Sequence, residues 1–432
     1  MKQEINVGLI GLGVIGSQVA KVLCEKAAEL SIQAGAPLKL AKIKVLESDL
    51  EKPLAKEFPA EIFTTSDDEF FNDEKISVII ELIGGERPAY DYIVRALEAG
   101  KHVVTANKEV IAKHGLQLRD IAHENGVSLY YEASVGGGIP LIAPLEKDLR
   151  ANYIKSIHAI INGTTNYILT SMSRDGTDFD IALANAQKLG YAESNPKNDI
   201  EGIDAAYKIA IMATLAFQAD VRPDKVYTEG ISKLESQDFR YANELGYEIK
   251  LLAIAKQHDN FIEARVHPAF IHKDSVLGGV SGVFNAVSIE GDLVGQVVFT
   301  GQGAGGLATS SAVVSDVLRA ARDNILGTST SAIKINSDKA VQPIADITTR
   351  FYMRLSILDS TNVLAAIARI LGKHEISIAS VIQKETDTLS HTAEIVIMTH
   401  PAAGRSVDFA IEELSGLDVV KEINNVIRVE EQ

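Results

Sequence analysis

The sequence predicts an α/β protein of about three domains, because its 432 residues amount to about three times the roughly 150 residues of a typical domain. Two observations predict this class. From the N-terminus onward, strand-like apolar runs alternate with helical segments, which favours a doubly wound parallel sheet. From residue 346 the order becomes strand, helix, two strands, helix and strand, which is typical of a small α+β domain.

The composition excludes several classes of protein. The formal net charge is −16 at pH 7, so the chain would repel nucleic-acid phosphates and anionic lipids. No stretch reaches the roughly 18 apolar residues of a membrane span, and the N-terminus lacks a signal-peptide pattern. We therefore expect a cytoplasmic protein with neither nucleic acid nor membrane as a partner. The single cysteine, Cys24, excludes an intrachain disulfide and a cysteine-cluster metal site.

The first domain opens with a motif that predicts dinucleotide binding. A predicted strand over residues 5–10 runs into Gly11, Gly13 and Gly16 and then into a helical pattern. Gly11 permits a sharp turn, Gly13 lets the backbone approach a pyrophosphate, and Gly16 lets the helix pack closely on the strand. The helix N-terminus then receives the phosphates. We predict a Rossmann-type domain over residues 1–135 that binds NAD or NADP through the turn residues Gly11, Gly13, Val14, Ile15 and Gly16.

Further predicted strands bring polar residues to one edge of this sheet. Ligands of such sheets lie beyond the carboxyl ends of the strands. At those ends the chain carries Gly84 and Gly85, then Asn107 with Lys108, and then Glu132. The predicted strands cover residues 40–48, 77–82, 102–106 and 127–132.

Two acidic residues after the second predicted strand, Glu47 and Asp49, bear on the choice of cofactor. A carboxylate at this point binds the ribose 2′-hydroxyl of NAD, although here it lies well past the usual spacing of about 20 residues from the glycines. The 2′-phosphate of NADP favours an arginine, and this stretch has only Lys52 and Lys56. The sequence therefore favours NAD slightly and leaves NADP open.

A second candidate site lies in the apolar stretch GIDAAYKIAIMATLAF, residues 202–217, where Asp204 and Lys208 are the only charges. Because they are four residues apart, they share one face of a helix. One interpretation is a solvated ion pair of little consequence. The other is a partly buried pair, in which burial disfavours the charged lysine and the carboxylate favours it, so that a proton can be held and released. Glu193 and Asp199 upstream favour the second interpretation, although Asp199 could also cap a helix.

The segment from Ala186 to Lys208 reads A-x-x-x-G-Y-A-E-S-N-P-x-x-D-I-E-G-x-D-x-x-x-K and resembles the signature of the homoserine dehydrogenases. Other segments occur in the family's order along nearly the whole chain, namely GLGVIGS, VIIELIGG, TANK, YEASVGGGIPLI, INGTTNYIL, EARVHP, GVFNAV and GQGAGG. The resemblance implies a reversible, nicotinamide-dependent reduction of aspartate 4-semialdehyde to homoserine, in threonine, methionine and isoleucine biosynthesis.

The resemblance also implies roles for single residues. Lys208 would donate a proton to the aldehyde oxygen, Asp204 would orient or tune it, and Lys108 would reach both cofactor and substrate. Glu193 and Asp199 would hold the ammonium group of the substrate. The residues that would line the pocket are Gly163, Thr164 and Tyr191. Core packing of Tyr191 and a helix cap in NGTTN are the alternatives.

Two loops complete the implied site. The family binds a monovalent cation, typically sodium, mostly through backbone carbonyls, and a plain glycine turn is the alternative. The matching residues here are Glu132, Val135, Gly137 and Ile139. In the family, the GQGAGG segment returns the chain to the nucleotide domain over residues 301–325, which implies that Gly303 contacts the cofactor along with Thr105. Gln302 and Ala308 depart from the arginine and proline that are frequent in that loop.

The rest of the chain completes the predicted organisation. Residues 136–300 form the predicted substrate-binding, catalytic and dimerisation domain, and the polar stretch 326–345 is a predicted linker. Residues 346–432 have a ferredoxin-like βαββαβ order that resembles an ACT domain, an amino-acid-binding regulatory module; a purely structural dimerisation domain is the alternative. The resemblance implies a threonine effector and a homodimer or homotetramer. Asn362 stands where such turns often carry glycine, but asparagine tolerates positive φ.

Two other functions compete with this one. A semialdehyde dehydrogenase that acts on an acyl phosphate needs a nucleophilic cysteine, and Cys24 in the first predicted helix is misplaced for that role. A protein that senses amino acid and nucleotide without turnover is the second alternative. The joint presence of Lys108, Glu193, Asp204 and Lys208 favours an enzyme.

Overall fold

The computed structural model describes residues 4–330, 333–335, 339–387 and 392–431. It divides into two compact units. The first comprises Met1–Ile154, Tyr207–Pro223 and Ile289–Asp338, and the second Lys155–Ala206, Asp224–Ser288 and Lys339–Gln432. The predicted organisation has three domains, whereas here the last part of the chain belongs to the same unit as much of its middle.

Both units combine strands and helices. The strands are β1 (Ile5–Ile10), β2 (Leu38–Lys44), β3 (Phe63–Thr64), β4 (Ile76–Glu81), β5 (His102–Thr105), β6 (Leu129–Tyr130), β7 (Ile154–Ile160), β8 (Tyr227–Thr228), β9 (Tyr247–Gln257), β10 (Phe261–His272), β11 (Phe284–Gly291), β12 (Gly295–Gln302), β13 (Ala340–Val341), β14 (Thr348–Leu358), β15 (Ile378–Asp387), β16 (Thr392–Thr399), β17 (Ala402–Ala403) and β18 (Val420–Glu430). The α-helices are α1 (Val14–Glu25), α2 (Ala27–Ala34), α3 (Glu47–Leu50), α4 (Asp67–Phe71), α5 (Ala89–Glu98), α6 (Lys108–Glu124), α7 (Gly163–Asp175), α8 (Phe179–Lys188), α9 (Lys197–Ile200), α10 (Ile203–Phe217), α11 (Ser236–Glu244), α12 (Gly306–Leu326), α13 (Val363–Lys373) and α14 (Gly404–Ser415). Within the described ranges, we find no helix with the length and apolar character of a membrane span.

The sheet of the first unit has the strand order β3-β2-β1-β4-β5-β6, and its neighbouring strands pair in parallel. Strands β1 and β4 are buried almost throughout, as apolar strands covered on both faces should be. This confirms the predicted Rossmann-type parallel sheet. Helix α12 belongs to the same core, because its Val313 and Val317 pack with Val7 and Leu9 of β1 and with Val19 of α1.

The second strand is shorter than the predicted one. We expected a strand up to residue 48, but β2 ends at Lys44 and the chain enters helix α3 at Glu47. The cause is local, because the Asp49 carboxylate accepts a hydrogen bond from the Leu46 N–H at 3.2 Å. Such side-chain bonds to nearby backbone compete with the pairing of a strand.

The second unit is built on a mixed sheet, in which the strands follow the order β11-β7-β9-β10-β18-β14-β16-β15. Strands β9 and β10 pair antiparallel. On its other edge, β10 pairs in parallel with β18 at Ala269–Ile271 and with the short β13 at Phe261–Ile262. Strands from the middle of the chain and from its last part therefore share one sheet, and part of the predicted linker 326–345 pairs with that sheet.

The last part of the chain has the element order β14-α13-β15-β16-α14-β18, apart from the short β17. Its strands lie in the order β18-β14-β16-β15, a ferredoxin-like arrangement. Helices α13 and α14 pack on this sheet through Ile367 and Leu414, which join Met353 and Leu355 of β14 in one core. Asn362, just before α13, has a φ of 71°, so asparagine holds the left-handed conformation in this turn.

Candidate active site

The glycine turn after β1 has the geometry that a dinucleotide needs. Gly11 has a φ of 94°, and a Cβ atom at Gly16 would lie 2.2 Å from the Gly11 carbonyl oxygen. Gly16 thus allows α1 to begin directly against the turn. At Gly13, by contrast, a Cβ atom would meet nothing within 4 Å, and the Gly13 carbonyl accepts the Ser17 N–H at 2.9 Å. The space above Gly13 is therefore open at the N-terminus of α1, which fits the approach of a pyrophosphate.

The residues predicted to contact the rest of the cofactor lie around this turn. Val14 is 75% exposed at the start of α1, and Ile15 is partly buried against the core. Asp49 is engaged locally, because its carboxylate also binds the Lys52 Nζ at 2.5 Å, and this contact lowers the pKa of Asp49. Glu47 is exposed and makes no hydrogen bond or ion pair within the described part of the chain. Of the two acids, Glu47 is the one available to a ribose hydroxyl.

A buried hydrogen-bond network fixes the loops after β4 and β5. The Thr105 hydroxyl donates to Glu81 at 2.6 Å, and the Asn107 N–H donates to the Thr105 hydroxyl at 3.0 Å. The Asn107 amide donates to the Gly85 carbonyl at 2.7 Å, while its oxygen caps α6 by accepting the Val110 N–H. Burial raises the pKa of Glu81. Glu81 is not among the predicted site residues, although a glutamate that ends the apolar run VIIE is an unusual residue for a buried strand.

Lys108 is the first residue of α6 and is partly buried. Its position follows from the network just described, because the Asn107 cap determines where the helix begins. The predicted cofactor residues Thr105 and Lys108 therefore lie at the carboxyl end of β5 and at the N-terminus of the next helix, where ligands of parallel sheets bind.

One asparagine, which is not among the predicted site residues, joins two of the predicted acidic residues. The Asn162 amide nitrogen donates to Asp199 at 2.7 Å and to Asp204 at 2.9 Å. The Asn162 oxygen caps α7 by accepting the Thr165 N–H at 2.9 Å. Asp204 is only 2% exposed, so this hydrogen bond gives a buried carboxyl group a partner. The asparagine that opens NGTTN was recognisable as a helix cap, but its contact with the acids was not.

The remaining predicted substrate residues lie beside α7. The Thr164 hydroxyl donates to the Tyr191 carbonyl at 2.6 Å, and the Tyr191 ring lies 5.0 Å from the Tyr167 ring, between centroids. Tyr191 is 44% exposed, so core packing does not explain it. A Cβ atom at Gly163 would lie 2.9 Å from the Val283 carbonyl oxygen, so a larger residue would not fit there. Glu193 is exposed, and its backbone carbonyl accepts a hydrogen bond from Gln187.

Lys208 lies one helical turn after Asp204 on α10, and only 8% of its surface is exposed. The interpretation of this pair as a solvated surface ion pair therefore does not hold. Both residues have hydrogen-bonding or electrostatic partners in the structure. A buried lysine and a buried carboxylate on one helix face form a suitable proton-transfer pair. Burial favours the neutral form of a lysine, whereas a nearby carboxylate favours its charged form, so that the proton can be both held and released.

The side chain of Glu132 stabilises the loop that is predicted to bind a cation. The buried Glu132 carboxylate accepts the N–H groups of Leu141, Ile142 and Ala143 at 2.6 to 2.9 Å. The same carboxylate also lies 3.4 Å from Arg319 Nη1, so its oxygens are occupied by backbone and guanidinium donors, and the Glu132 carbonyl accepts the Val135 N–H at 3.4 Å. Among the described residues, no three histidine, cysteine or acidic side chains are grouped to hold a metal ion.

The same loop packs directly against the segment that contains Gly303. Gly137 has a φ of 58°, and a Cβ atom there would lie 2.6 Å from the Gly303 carbonyl oxygen. Val135 and Ile139 on either side are buried. The Glu132 N–H donates to the buried Asp316 of α12 at 2.8 Å. Two loops that are far apart in the sequence are therefore held backbone to backbone, which explains why glycine occupies position 137.

Known proteins resemble this chain along its whole length. The family model for homoserine dehydrogenase matches residues 140–318, and the model for the NAD binding domain of homoserine dehydrogenase matches residues 11–132. A homoserine dehydrogenase from Synechocystis sp. is 41% identical over 440 residues, which cover 98% of this chain and 99% of the relative.

Solved structures show the same similarity. A homoserine dehydrogenase from Thiobacillus denitrificans superposes with a TM-score of 0.92 at 39% identity, covering 99% of this chain and 98% of that one. A hyperthermophilic archaeal homoserine dehydrogenase, solved in complex with NADPH, superposes with a TM-score of 0.63 at 27% identity. That alignment covers 73% of this chain and 97% of the archaeal one.

Proposed function

The chain belongs to the homoserine dehydrogenase family, and from this premise we propose which of its residues carry out the reaction. It is an NAD(P)-dependent oxidoreductase that interconverts homoserine and aspartate 4-semialdehyde. When bound, the nicotinamide supplies or accepts the hydride. The observation that carries our assignment is the pair of hydrogen bonds from the Asn162 amide to Asp199 and to Asp204. Asp204 lies one helical turn before the buried Lys208.

We assign the proton transfer to Lys208. In the direction of reduction, its ammonium donates a proton to the aldehyde oxygen as the hydride reaches the carbonyl carbon; in oxidation, the neutral amine takes the hydroxyl proton back. Asp204 orients this lysine and is itself oriented by Asn162. The burial of both side chains supports this role, because charge interactions are stronger where water is excluded.

The substrate ammonium group binds to Glu193 and Asp199. Asp199 is partly buried and keeps its direction through the bond from Asn162, whereas the exposed Glu193 is free to meet a ligand. Tyr191, Gly163 and Thr164 line the same pocket, and the hydrogen bond from Thr164 to the Tyr191 carbonyl holds this loop against α7. A zwitterionic amino acid requires carboxylates of this kind around its ammonium.

The glycine turn from Gly11 to Gly16 would hold the cofactor, and Thr105, Lys108 and Gly303 would make further contacts with it. The open space at Gly13 supports this placement. A related archaeal enzyme binds NADPH, whereas the available carboxylate of Glu47 favours the ribose hydroxyl of NAD in this chain. Lys108 contacts both cofactor and substrate from the start of α6.

We also propose a monovalent cation, sodium, bound by backbone carbonyls of Glu132, Val135, Gly137 and Ile139. The two left-handed glycines Gly136 and Gly137 support the proposal, because they turn successive carbonyls of this loop in different directions. Turnover measured at constant ionic strength with sodium, or with choline as the replacement cation, tests it. Equal rates in the two salts would exclude the site.

We propose that the last part of the chain is an ACT domain and that threonine bound to it inhibits the enzyme. The enzyme would be a cytoplasmic homodimer or homotetramer. It would act in threonine, methionine and isoleucine biosynthesis. The ferredoxin-like strand order and the left-handed turn at Asn362 support this proposal. Threonine should lower the turnover of the full-length chain. Asn362→Gly should increase the sensitivity, since the asparagine side chain crowds a turn that glycine leaves open.

The assignment of the reacting residues is tested by nicotinamide absorbance. Homoserine should reduce NAD or NADP in the presence of the wild-type chain, and Lys208→Ala should abolish most of this turnover while cofactor binding persists. Turnover of Lys208→Ala close to that of the wild type would contradict the role of Lys208, even though the family assignment would stand.

A further inference from the structure

Glu81, the last residue of β4, is a buried acid to which the mechanism above gives no role. Only 1% of its surface is exposed. One carboxylate oxygen accepts the Ile83 N–H at 2.8 Å, and the other accepts the Thr105 hydroxyl at 2.6 Å. A buried carboxyl group needs such partners. Here they come from two separate segments, the loop after β4 and the end of β5.

The hydrogen bond from Ile83 holds the loop after β4 against the glycine turn. A Cβ atom at Gly11 would lie 2.8 Å from Ile83 Cγ2 and 3.1 Å from the Leu82 carbonyl oxygen, so the two segments pack with no room for a side chain at Gly11. The Leu82 N–H also donates to the Ile10 carbonyl at 3.0 Å. The position of Ile83 therefore limits where the glycine turn can lie.

The hydrogen bond from Thr105 connects Glu81 to the start of α6. The Thr105 hydroxyl oxygen accepts the Asn107 N–H at 3.0 Å, and Asn107 caps α6 immediately before Lys108. A hydroxyl group has one hydrogen to donate, and Glu81 is its acceptor. Glu81 thus orients the Thr105 hydroxyl and, through it, the turn from which Lys108 begins the helix.

The segments that Glu81 joins are those that would hold the cofactor. Strands β1, β4 and β5 are neighbours in the parallel sheet, so their carboxyl ends lie side by side at the edge where ligands bind. The glycine turn follows β1, and the segment from Thr105 to Lys108 follows β5. One side chain therefore connects both of these segments through the loop between them.

We propose that Glu81 is a positioning residue, which sets the spacing between the glycine turn and the segment from Thr105 to Lys108. This inference rests on the cofactor placement proposed above. Because Glu81 is almost fully buried, it acts through Ile83 and Thr105 and not on a ligand itself. Its loss slows hydride transfer, because the nicotinamide and Lys108 no longer meet the substrate in the productive geometry.

The test measures one turnover, with enzyme in excess over the cofactor and homoserine at saturation. The rate constant of the change in nicotinamide absorbance reports the reacting geometry, whereas its amplitude reports the active fraction. Glu81→Gln keeps the length of the side chain but has one accepting oxygen for two donors. Glu81→Asp keeps both oxygens but is one methylene shorter. Each should lower the rate constant on the order of 10-fold, less than the roughly 10²-fold that a misplacement of 1 Å can cause.

Asp323→Asn is the matched control. The Asp323 carboxylate accepts the hydroxyls of Tyr130 at 2.8 Å and Thr328 at 3.0 Å, so this change also weakens an acid that holds two donors. Asp323 lies near the end of α12 and touches none of the segments that Glu81 joins. Asp323→Asn should lower the melting temperature and leave the rate constant unchanged.

Three results would overturn the inference: wild-type rate constants in both Glu81 variants, a loss confined to the amplitude, or a normal rate constant in Glu81→Asp alone, which would assign the effect to charge. Gly13→Val measured in parallel identifies which proposal fails, because a side chain there meets no protein atom but fills the space proposed for the pyrophosphate. If it abolishes cofactor binding while both Glu81 variants are normal, the positioning role alone is wrong. If it binds cofactor like the wild type, the cofactor placement is wrong and the inference falls with it.

Discussion

Replacing Asn162 perturbs the proposed acid pair without touching either acid. The amide of Asn162 donates to Asp199 and Asp204, and its oxygen caps α7. Asn162→Asp keeps the capping oxygen, removes both donors and adds a third carboxylate beside the other two. Asn162→Ala removes the donors and the cap together. The two variants therefore separate the effect on catalysis from the effect on the helix.

The expected magnitude follows from the hydrogen bond to Asp204. A hydrogen bond to a charged group contributes about 1.5–3 kcal/mol, and each 1.36 kcal/mol of activation free energy changes the rate about tenfold. If the whole bond serves to orient the proton donor, kcat falls about 10- to 160-fold in both variants. Asn162→Ala also loses the cap, which contributes about 1 kcal/mol to the free energy of unfolding. Asn162→Asp retains that contribution.

The assay measures kcat and the KM for homoserine at saturating cofactor, with the cofactor Kd and the melting temperature determined on the same preparations. Asn166→Ala is the matched control, because Asn166 lies on the same helix and its buried amide donates to the Phe284 carbonyl at 3.0 Å instead of to a carboxylate. It should lower the melting temperature and leave kcat unchanged. A kcat of the wild-type value in Asn162→Asp would refute the reasoning.

Four further outcomes are expected. Lys208→Ala should lower kcat about 10²- to 10⁴-fold with the cofactor Kd unchanged, whereas Glu193→Gln should act mainly on the KM for homoserine, and an unchanged KM would contradict the ammonium assignment. Ser48→Arg should shift the ratio of kcat/KM values toward NADP, because it puts a guanidinium beside Glu47 where a 2′-phosphate would lie; an unchanged ratio would locate the discrimination elsewhere. Burial, together with the charges of Lys256 and Arg265, lowers the pKa of His158 from 6.5 to about 3, so the unfolded chain binds a proton below pH 6.5 that the folded chain does not. The stability linked to His158 is therefore complete above pH 6.5 and is lost as the pH falls toward 3, by about 2 kcal/mol at pH 5; urea unfolding at pH 5 and pH 8 should show a smaller difference for His158→Gln than for the wild type.

The parts of the site that the sequence predicted are those built from neighbouring residues. The glycine turn is one example, because Gly11 and Gly16 contact each other within one turn, and their spacing alone reports the geometry. The Asp204 and Lys208 pair is another, since helical periodicity places residues four apart on one face. The expectation that both are buried followed from the apolar residues around them, and the structure agrees with it.

The contacts that the sequence did not predict join residues distant along the chain. Asn162 lies 37 residues from Asp199 and 42 from Asp204, and no periodicity connects a cap of one helix with the acids of two others. The hydrogen bonds from three backbone N–H groups to the Glu132 carboxylate were not predicted for a related reason. A sequence gives the identity of an acidic residue but not the donors that the fold brings to it. The early end of β2 was missed for a local reason, the bond from the Leu46 N–H to Asp49.

The junction between β10 and β18 determines how the proposed threonine regulation by the last part of the chain can be tested. The fully buried Arg265 donates to both carboxylate oxygens of Glu430, at 2.8 and 3.4 Å, and Glu430 is the last residue of β18. A chain cut near residue 340 would leave Arg265 with Glu263 but without Glu430, and would leave part of the β10 edge unpaired. Loss of threonine sensitivity in such a fragment would then reflect damage to the sheet as much as loss of an effector site. Substitutions of the exposed Asn362 separate loss of an effector site from damage to the sheet, because they leave the paired strands and the buried ion pair intact.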